Sequence, residues 1–548
     1  MYREKKYKNK IKSIYIDPPY NTGSDGFIYK DNYQDSSWAS LLLSSLNLAK
    51  NLQNNESAIF VSIDDTEQSI LRNLLEIVYQ KRNFISNVIW QKKFSPQNDA
   101  KWFSDNHDFI VTFAKDKDVW RPSLLPRSDA ALASYKNPDN DSRGVWTSSD
   151  FSVRTYAEDY DYEITTPSGK KISPTQGRCW ATSKQNFELL VKDNRIWFGK
   201  NKDAVPRVKK FLSEVKDGVT ALTIWTHDEV GHNQESKKEL MSFFNLQNDL
   251  SPRDLAKTTP KPSRLISKIF KLSTDKNEST ILDFFAGSGT SAHAVIDLNR
   301  KDNGNRRYIL IDQAEYFNSV LKPRIQKVVY SADWKEGKPT NPESGISHCL
   351  KVMKLESYED TLNNLELVRK GTQQTLLAEQ QTSTKLEDQN AYSDYLMHYM
   401  LELESKDSLL NVKDFLKPFS YQMNITTDSA GAFERKNIDL VETFNYLIGL
   451  NVQEVDYQLD KGYAQITGKL RTGEYTTVLW RDCEKIGYAE LDQLLAKLKI
   501  NPNDGEYQLI YINGDHNVAS KYTTKEGEEK QLKVRSIEQT FLKNMFEE

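Results

Sequence analysis

Four consecutive residues, Asp17-Pro18-Pro19-Tyr20, set an acid, two stiff backbone units and an aromatic ring behind a short β-rich run, Lys12 to Ile16 (KSIYI). Those types suit alkylation of an exocyclic amino group on an aromatic base. Such an amino lone pair is delocalised into the ring, so it attacks only when an acceptor accommodates the charge developing on nitrogen. The Asp17 carboxylate would accept one N–H of that group. The Pro18 carbonyl, held by proline's fixed φ, would accept the other, with Pro19 completing the turn. Tyr20 would stack on a base lifted out of its helix, replacing the stacking the base has lost.

A second corner lies late in the chain, where Asp283-Phe284-Phe285-Ala286-Gly287-Ser288-Gly289-Thr290 runs from a strand through a glycine turn into a helix. Small residues let backbone approach a bound cofactor at the carboxyl edge of a sheet, where open α/β folds hold ligands. The third glycine of the dinucleotide fingerprint is missing, which disfavours NAD. Asp312 ends the following strand, where an acid can bind ribose hydroxyls; Gln313 is the alternative for that position.

The elements that must position these corners alternate in type. After the KSIYI strand come a helical pattern from Ser37 to Leu52, a strand at Ala58–Ile63, a helix through Ile70, Leu71, Leu74, Leu75 and Val78, and strands at Phe84–Trp90 and Phe109–Phe113. The pattern breaks near residue 116 into aromatic-rich pieces with many Asp, Ser, Asn and Pro, and returns with a strand at Ser279–Phe285, a helix at Ser291–Leu298 and a strand at Tyr308–Ile311. One parallel sheet covered on both faces, built from two separated blocks around an insertion, is the architecture this predicts.

The 548 residues exceed a single core, and three units are expected. Mean hydropathy is −0.68, and no apolar run approaches a membrane span. The N-terminal residues carry charge without an apolar leader core, and Cys179, Cys349 and Cys483 are widely spaced with no CxxC pair, so the reading is a cytoplasmic protein without disulfides or structural zinc. Net charge is only −3, but it is uneven: Asp161 to Lys216 holds twelve Lys or Arg against six Asp or Glu. Within the insertion Lys92, Lys93, Arg178, Lys184, Arg195, Lys200, Lys202 and Arg207 are candidate phosphate contacts, with Trp180 and Trp197 interleaved, residues of a type more often core anchors. His227 and His232 have no further ligand set, so no metal is expected.

The order of the two corners, with an insertion between them, resembles the circularly permuted β class of DNA amino-methyltransferases. The segments IYIDPPYNTGSDGFIY, VSIDDTEQ, IWQKKFSPQND, HDFIVTFAK, WFGKN, IWTHDEVGHNQESKKEL, TPKPSRLI, LESYEDTLNNLEL and LWRDC together resemble the Mod subunit of type III restriction–modification systems over nearly the whole chain. The resemblance implies a Rossmann-like S-adenosylmethionine-dependent methyltransferase sheet with an inserted target recognition domain and a C-terminal α+β domain. It implies that Asp17, Pro18 and Tyr20 are catalytic, that Asp283, Phe285, Gly287 and Gly289 form the cofactor loop, and that Lys261 with Pro262 closes over S-adenosyl-L-methionine. It further implies transfer to adenine N6 in duplex DNA, a homodimer, and a separate restriction (Res) subunit; the chain carries no GxxxxGK[ST] phosphate loop. The domains are then expected at 1–94, 95–256, 257–345, 346–391 (a linker containing the Gln- and Thr-rich run 371–390) and 392–548, the last with strands at Tyr475–Leu479 and Tyr507–Ile512. Two alternatives stand beside this reading. Cytosine-N4 methyltransferases share the fold. Family members also carry a longer segment before the first motif than the sixteen residues preceding Asp17, which leaves a truncated, catalytically impaired recognition subunit as the other expectation.

Overall fold

The computed structural model describes residues 7–22, 34–245, 259–313, 315–355, 360, 415–426, 432–500, 506–516, 518, 521–523, 529–531 and 533–546. Two compact units divide them: Ile11–Ser347 is one, and the described residues outside that range make the other.

The first unit is organised by a sheet of strands β1 (Ile11–Ile16), β2 (Gln53–Ile63), β3 (Phe84–Gln91), β4 (His107–Ala114), β5 (Ile224–Trp225), β6 (Thr280–Asp283) and β7 (Arg307–Leu310), in the spatial order β5-β3-β4-β2-β1-β6-β7. All run parallel except β4, which is antiparallel to both β2 and β3. The helices that bear on the site are α1 (Asp35–Leu52), α2 (Gln68–Tyr79), α3 (Asn233–Ser242), α4 (Ser263–Ser273), α5 (Thr290–Asp302) and α6 (Leu321–Tyr330).

Side chains alternate across a strand, and both faces of this sheet are apolar. Ile14, Ile16, Ile59, Val61, Ile63 and Leu282 meet Trp38, Leu42 and Leu46 of α1 and Leu71, Leu75 and Val78 of α2. Tyr15, Phe60, Val88, Trp90 and Ile281 meet Leu265, Ile266, Ile269 and Phe270 of α4 and Val295 and Leu298 of α5. Helices on both faces of a mostly parallel sheet make this a doubly wound, Rossmann-like sheet. Its ligand edge is the carboxyl edge, where β1 ends at Ile16, directly before Asp17, and β6 at Asp283.

The strand expected at Ser279–Phe285 is shorter, because the Asp283 carboxylate accepts the Phe285 N–H at 3.1 Å and turns the backbone out of the sheet. The expected boundary at residues 94 and 95 also moves. β4 pairs along its length with β2 and β3, so residues 107–114 belong to the main sheet.

Between β4 and β5 lies the insertion. It carries a three-stranded antiparallel sheet of Trp146–Asp150, Arg207–Phe211 and Ile196–Trp197, and a small core of Phe151, Ile164, Trp180, Phe187, Ile196 and Phe198. The insertion is not a unit of its own: β5 adds to the edge of the main sheet beside β3, and Ser123 donates to the Leu272 carbonyl at 2.9 Å.

In the second unit five strands, Asn451–Gln458, Tyr463–Lys469, Tyr475–Arg481, Leu509–Ile512 and Lys533–Ser536, form a mixed sheet. Phe444, Trp480, Tyr511 and Phe541 pack edge to face or stacked in its core. The run at 371–390 lies outside the described residues. Among those described, no helix is long and apolar enough to cross a membrane.

The sheet-facing stripe of α4 sets a test. Ile269 is fully buried, so Ile269→Ala should lower the unfolding free energy by about 2–5 kcal/mol in a urea titration. Leu48→Ala on α1, at a side chain 57% exposed, should stay within about 0.5 kcal/mol of wild type.

Candidate functional site

The parallel pairing of β1 with β6, in register Ile14↔Leu282, delivers the two corners side by side. One cavity is lined by Asp17, Pro18, Pro19 and Tyr20 from the first corner and by Asp283, Phe285, Ala286, Gly287, Ser288, Thr290 and Ser291 from the second, with Lys92, Lys93, Asp108 and Lys261 completing its wall.

The first corner is held from below and from the side. Trp38 of α1 donates its indole N–H to the Pro19 carbonyl at 2.8 Å, which fixes the turn against the sheet. Asn21, at φ +60°, donates to Glu67 at 2.7 Å. Lys261 stands directly before α4 and places Nζ 2.7 Å from each oxygen of Asp17. The same ammonium lies 4.9 Å from the centre of the Tyr20 ring and 5.9 Å from that of Trp90.

Behind Tyr20 lies a second charged group. The Tyr20 hydroxyl donates to Asp108 at 3.3 Å, and Lys92 bridges Asp108 and Asp105 at 2.7 Å each. Burial, with Asp108 and Asp17 nearby, raises the Tyr20 pKa well above its ordinary value, so the phenol stays a donor. Burial also raises the pKa of Asp108, although Lys261 and Lys92 oppose it. Asp108, Asp105 and Trp38 carry no local motif that marks them in the sequence. The sequence puts Lys92 among the DNA-phosphate contacts, whereas the side chain is buried and spent on two carboxylates in the pocket wall.

At the second corner Gly289, at φ +79°, turns the chain into α5; a side chain there would be strained and would press on Leu321. Asp312 accepts the Gly287 N–H at 2.7 Å and so braces the glycine turn from outside the lining of the cavity. Phe284 packs with the α1–α2 face of the sheet, and Pro262 caps α4. Ser288 and Thr290 are held by Arg324 of α6, a fully buried guanidinium that reaches the Ser288 and Thr290 hydroxyls at 3.0 and 2.9 Å and His293 Nδ1 at 3.0 Å. No local sequence signal marks Arg324, because its partners lie on other elements.

The segment Trp225 to Gly231 has no chemical step in the sequence, but the structure gives it a positioning role. Trp225 extends the sheet, Glu229 pairs with Lys268 of α4, and Arg264 donates to the Asp228 carbonyl at 2.8 Å. Gly231, at φ +85°, accepts from the Trp90 indole at 2.9 Å and leaves no room for a side chain against Pro262. This segment seats the start of α4, and hence Lys261.

The basic candidates of the insertion divide. Arg195 makes a two-pronged pair with Glu214 at 2.7 Å and a contact to Asp193 at 2.6 Å; Arg207 pairs with Asp150, and Arg178 donates to the Ser152 carbonyl at 2.7 Å. Lys184, Lys200 and Lys202 are exposed, and Lys93 lines the cavity. Trp180 is buried with its indole donating to the Tyr162 carbonyl, and Trp197 packs edge-on against Trp146.

A doubly wound sheet carrying an acid–proline corner and a glycine turn at one carboxyl edge defines a Rossmann-like methyltransferase fold. The family described as DNA methylase matches residues 11–322, and the chain belongs to that family. It is 34% identical over 408 residues to the type III restriction-modification enzyme StyLTI Mod subunit of Salmonella typhimurium, covering 66% of this chain and 60% of that one. With the EcoPI Mod subunit of Escherichia phage P1 it shares 27% over 405 residues, 59% of each. The chain thus spans about three-fifths of the length of these Mod subunits. Among solved structures, the PvuII DNA methyltransferase (cytosine-N4-specific) aligns over 59% of this chain and 85% of that one at 10% identity and a TM-score of 0.29. The fold assignment rests on the strand order and packing above.

Asp283 is buried without a cationic side chain in ion-pair range among the described residues, and burial raises its pKa to about 7. In the unfolded chain this carboxyl titrates near 3.8, so above that pH the folded state holds the extra proton and stability falls as pH rises. The loss is about 1.4 kcal/mol per unit, about 4 kcal/mol in all, between roughly pH 4 and pH 7. Asp283→Asn removes this term. Its unfolding free energy relative to wild type should therefore climb across that window and level off above it, as measured by urea titrations at stepped pH.

Proposed function

We propose that the chain methylates the N6 amino group of adenine in duplex DNA, using S-adenosylmethionine, as the modification subunit of a type III restriction–modification system. The observation that carries the reading is the single cavity lined by both Asp17-Pro18-Pro19-Tyr20 and the Asp283–Ser291 turn. An acceptor for an amino group and a glycine-lined seat for a cofactor then face the same space.

The residues suit the cofactor on electrostatic grounds. Asp283 is a buried acid held by the Ser291 hydroxyl and the Phe285 N–H, and a cationic ammonium beside it would offset the cost of ionising it there. Asp283, Phe285, Ala286, Gly287 and Ser288 would hold the cofactor, and Asp312 keeps the glycine turn in shape. When bound, S-adenosylmethionine supplies an electrophilic methyl group on a sulfonium.

The chain's own residues do the rest. Asp17 accepts a hydrogen bond from the amino group as positive charge builds on nitrogen. A carboxylate has about four lone-pair sites, so the two that Lys261 takes leave two for substrate. Lys261 thereby orients the carboxylate, and Trp38 fixes the turn that carries the Pro18 carbonyl. Tyr20, kept protonated and tied to Asp108, offers its ring face to the base outside the duplex. The resemblance to Mod subunits supports a homodimer, a restriction partner and a cytoplasmic setting.

Tritiated methyl transfer from S-adenosylmethionine to mixed-sequence plasmid DNA tests the reading, with the modified base identified by hydrolysis. Wild type should yield N6-methyladenine, and Asp17→Ala should lose at least about 100-fold in rate, the scale of removing a group that stabilises transition-state charge. N4-methylcytosine as the product, or undiminished transfer by the variant, would overturn it.

A further inference from the structure

The loop that leaves β3 at Lys92 and returns to β4 at His107 has a rigid root and a bare tip. At the root the Lys92 and Lys93 N–H groups both donate to the Asn106 carbonyl, at 2.9 and 3.2 Å, and the Lys92 ammonium bridges Asp105 and Asp108. Phe94 stacks on His227 with ring centres 5.5 Å apart and meets His232 edge-on at 5.3 Å. Higher up, Gln97 N–H donates to the Ser104 hydroxyl at 2.8 Å and Ala100 N–H to the Gln97 carbonyl at 3.2 Å. At the tip, Trp102 is 84% exposed and Phe103 97%.

Two adjacent aromatic rings held out in water on a clamped loop have no core to join, and apolar surface of that kind marks a contact. Its position and charge identify the contact. The root residues Lys92, Lys93 and Asp108 line the cavity that holds Asp17 and Tyr20. With Lys92 already paired to Asp105 and Asp108 at the root, the rest of the loop carries Lys93 and Lys101 against one acid, Asp99, and Lys101 places its ammonium 5.4 Å from the Trp102 ring. A cationic arm with a flat aromatic end suits a polyanion built of stacked rings.

We propose that the Trp102–Phe103 tip enters the base stack of duplex DNA and fills the gap left when the target base moves into the pocket. This rests on the methyl-transfer reading for the position of the gap, and on the exposed tip for the filling of it. Wedges of apolar side chains between base steps are a known way for proteins to hold a duplex open. Here the loop that carries the wedge shares its root with the pocket wall, since Lys92 ties that root to Asp108 and Asp108 accepts from Tyr20.

The test needs no knowledge of the recognition sequence. The full chain is titrated against a short mixed-sequence duplex with one abasic site and against the same duplex intact, with binding read by fluorescence anisotropy. Wild type should favour the abasic duplex by about tenfold, the scale of one base–aromatic stack. The preference should vanish in Trp102→Ala/Phe103→Ala and persist in Trp102→Phe. Both side chains are exposed, so the double variant should unfold at the wild-type urea midpoint. No preference in wild type, or a preference that survives in the double variant, would overturn the inference. So would a double variant that binds both duplexes as wild type does but sediments at lower mass, which would assign the tip to a contact between copies. Methyl transfer to plasmid DNA, measured in parallel, separates the two readings. Transfer without an abasic preference removes the wedge and keeps the enzyme, whereas a tip-dependent preference without transfer keeps the wedge and removes the enzyme.

Discussion

Everything at the site depends on two strands that meet only through the fold. β1 and β6 pair in parallel, with only β7 between them and one edge of the sheet, Ser13 against Ile281 and Ile14 against Leu282, and each breaks off at an aspartate. Parallel neighbours expose their carboxyl ends on one edge, so the register alone decides that Asp17 and Asp283 open into one cavity. A slip of one residue would turn Ile14 and Ile16 from the α1–α2 face to the α4–α5 face. Both faces are filled with large side chains, Trp38 and Leu42 on one and Ile266 and Phe270 on the other, so the packing that stabilises the sheet also sets the spacing of the corners.

The same edge carries more buried charge than a core tolerates unpaired, and the solution is a relay of alternating sign. Lys261 holds Asp17, while Lys92 holds Asp108 and Asp105, with the Tyr20 hydroxyl donating to Asp108. Each pair offsets part of the desolvation cost of its members, and removing one partner would strand the other. Asp283 is outside the relay. It remains a buried acid served by neutral donors, and its raised pKa follows from that isolation. The two ends of the pocket therefore differ, one with its carboxylates paired to lysines and the other with an acid that burial keeps largely protonated below about pH 7.

What could be read from the sequence was what is local. DPPY behind a β run, the glycine turn behind another and the two helical periodicities around them each need only a few neighbouring residues, and the sheet realises all of them within a residue or two at most ends. Contacts between distant segments left no such trace. Arg324 on α6 and Trp38 on α1 sit within ordinary amphipathic patterns, yet one pins Ser288 and Thr290 and the other the Pro19 carbonyl. Charge counting is blind to pairing for the same reason: Arg195 and Arg207 in the basic stretch, and Lys92 before it, have carboxylate partners in Glu214, Asp150 and Asp108 that only the fold brings alongside them. The strand β4 was legible as an apolar run at Phe109–Phe113, but the domain limit taken from the family resemblance assigned it to the insertion, because a strand's partners are not written in its own residues.

The insertion and the Asp17 carboxylate are linked by a short run of contacts. The insertion ends in β5, whose Trp225 joins the sheet beside Trp90. The next residues turn through Gly231, which accepts from that same Trp90 and abuts Pro262. Arg264 and Lys268 of α4 are fastened to the Asp228 carbonyl and to Glu229. The residue just before Pro262 is Lys261, whose ammonium holds both oxygens of Asp17. A continuous run of direct contacts therefore joins the end of the insertion to Asp17. The segment that would engage the target and the acid that would act on it thus share one set of supports, because the residues that seat β5 also seat the start of α4 and with it Lys261.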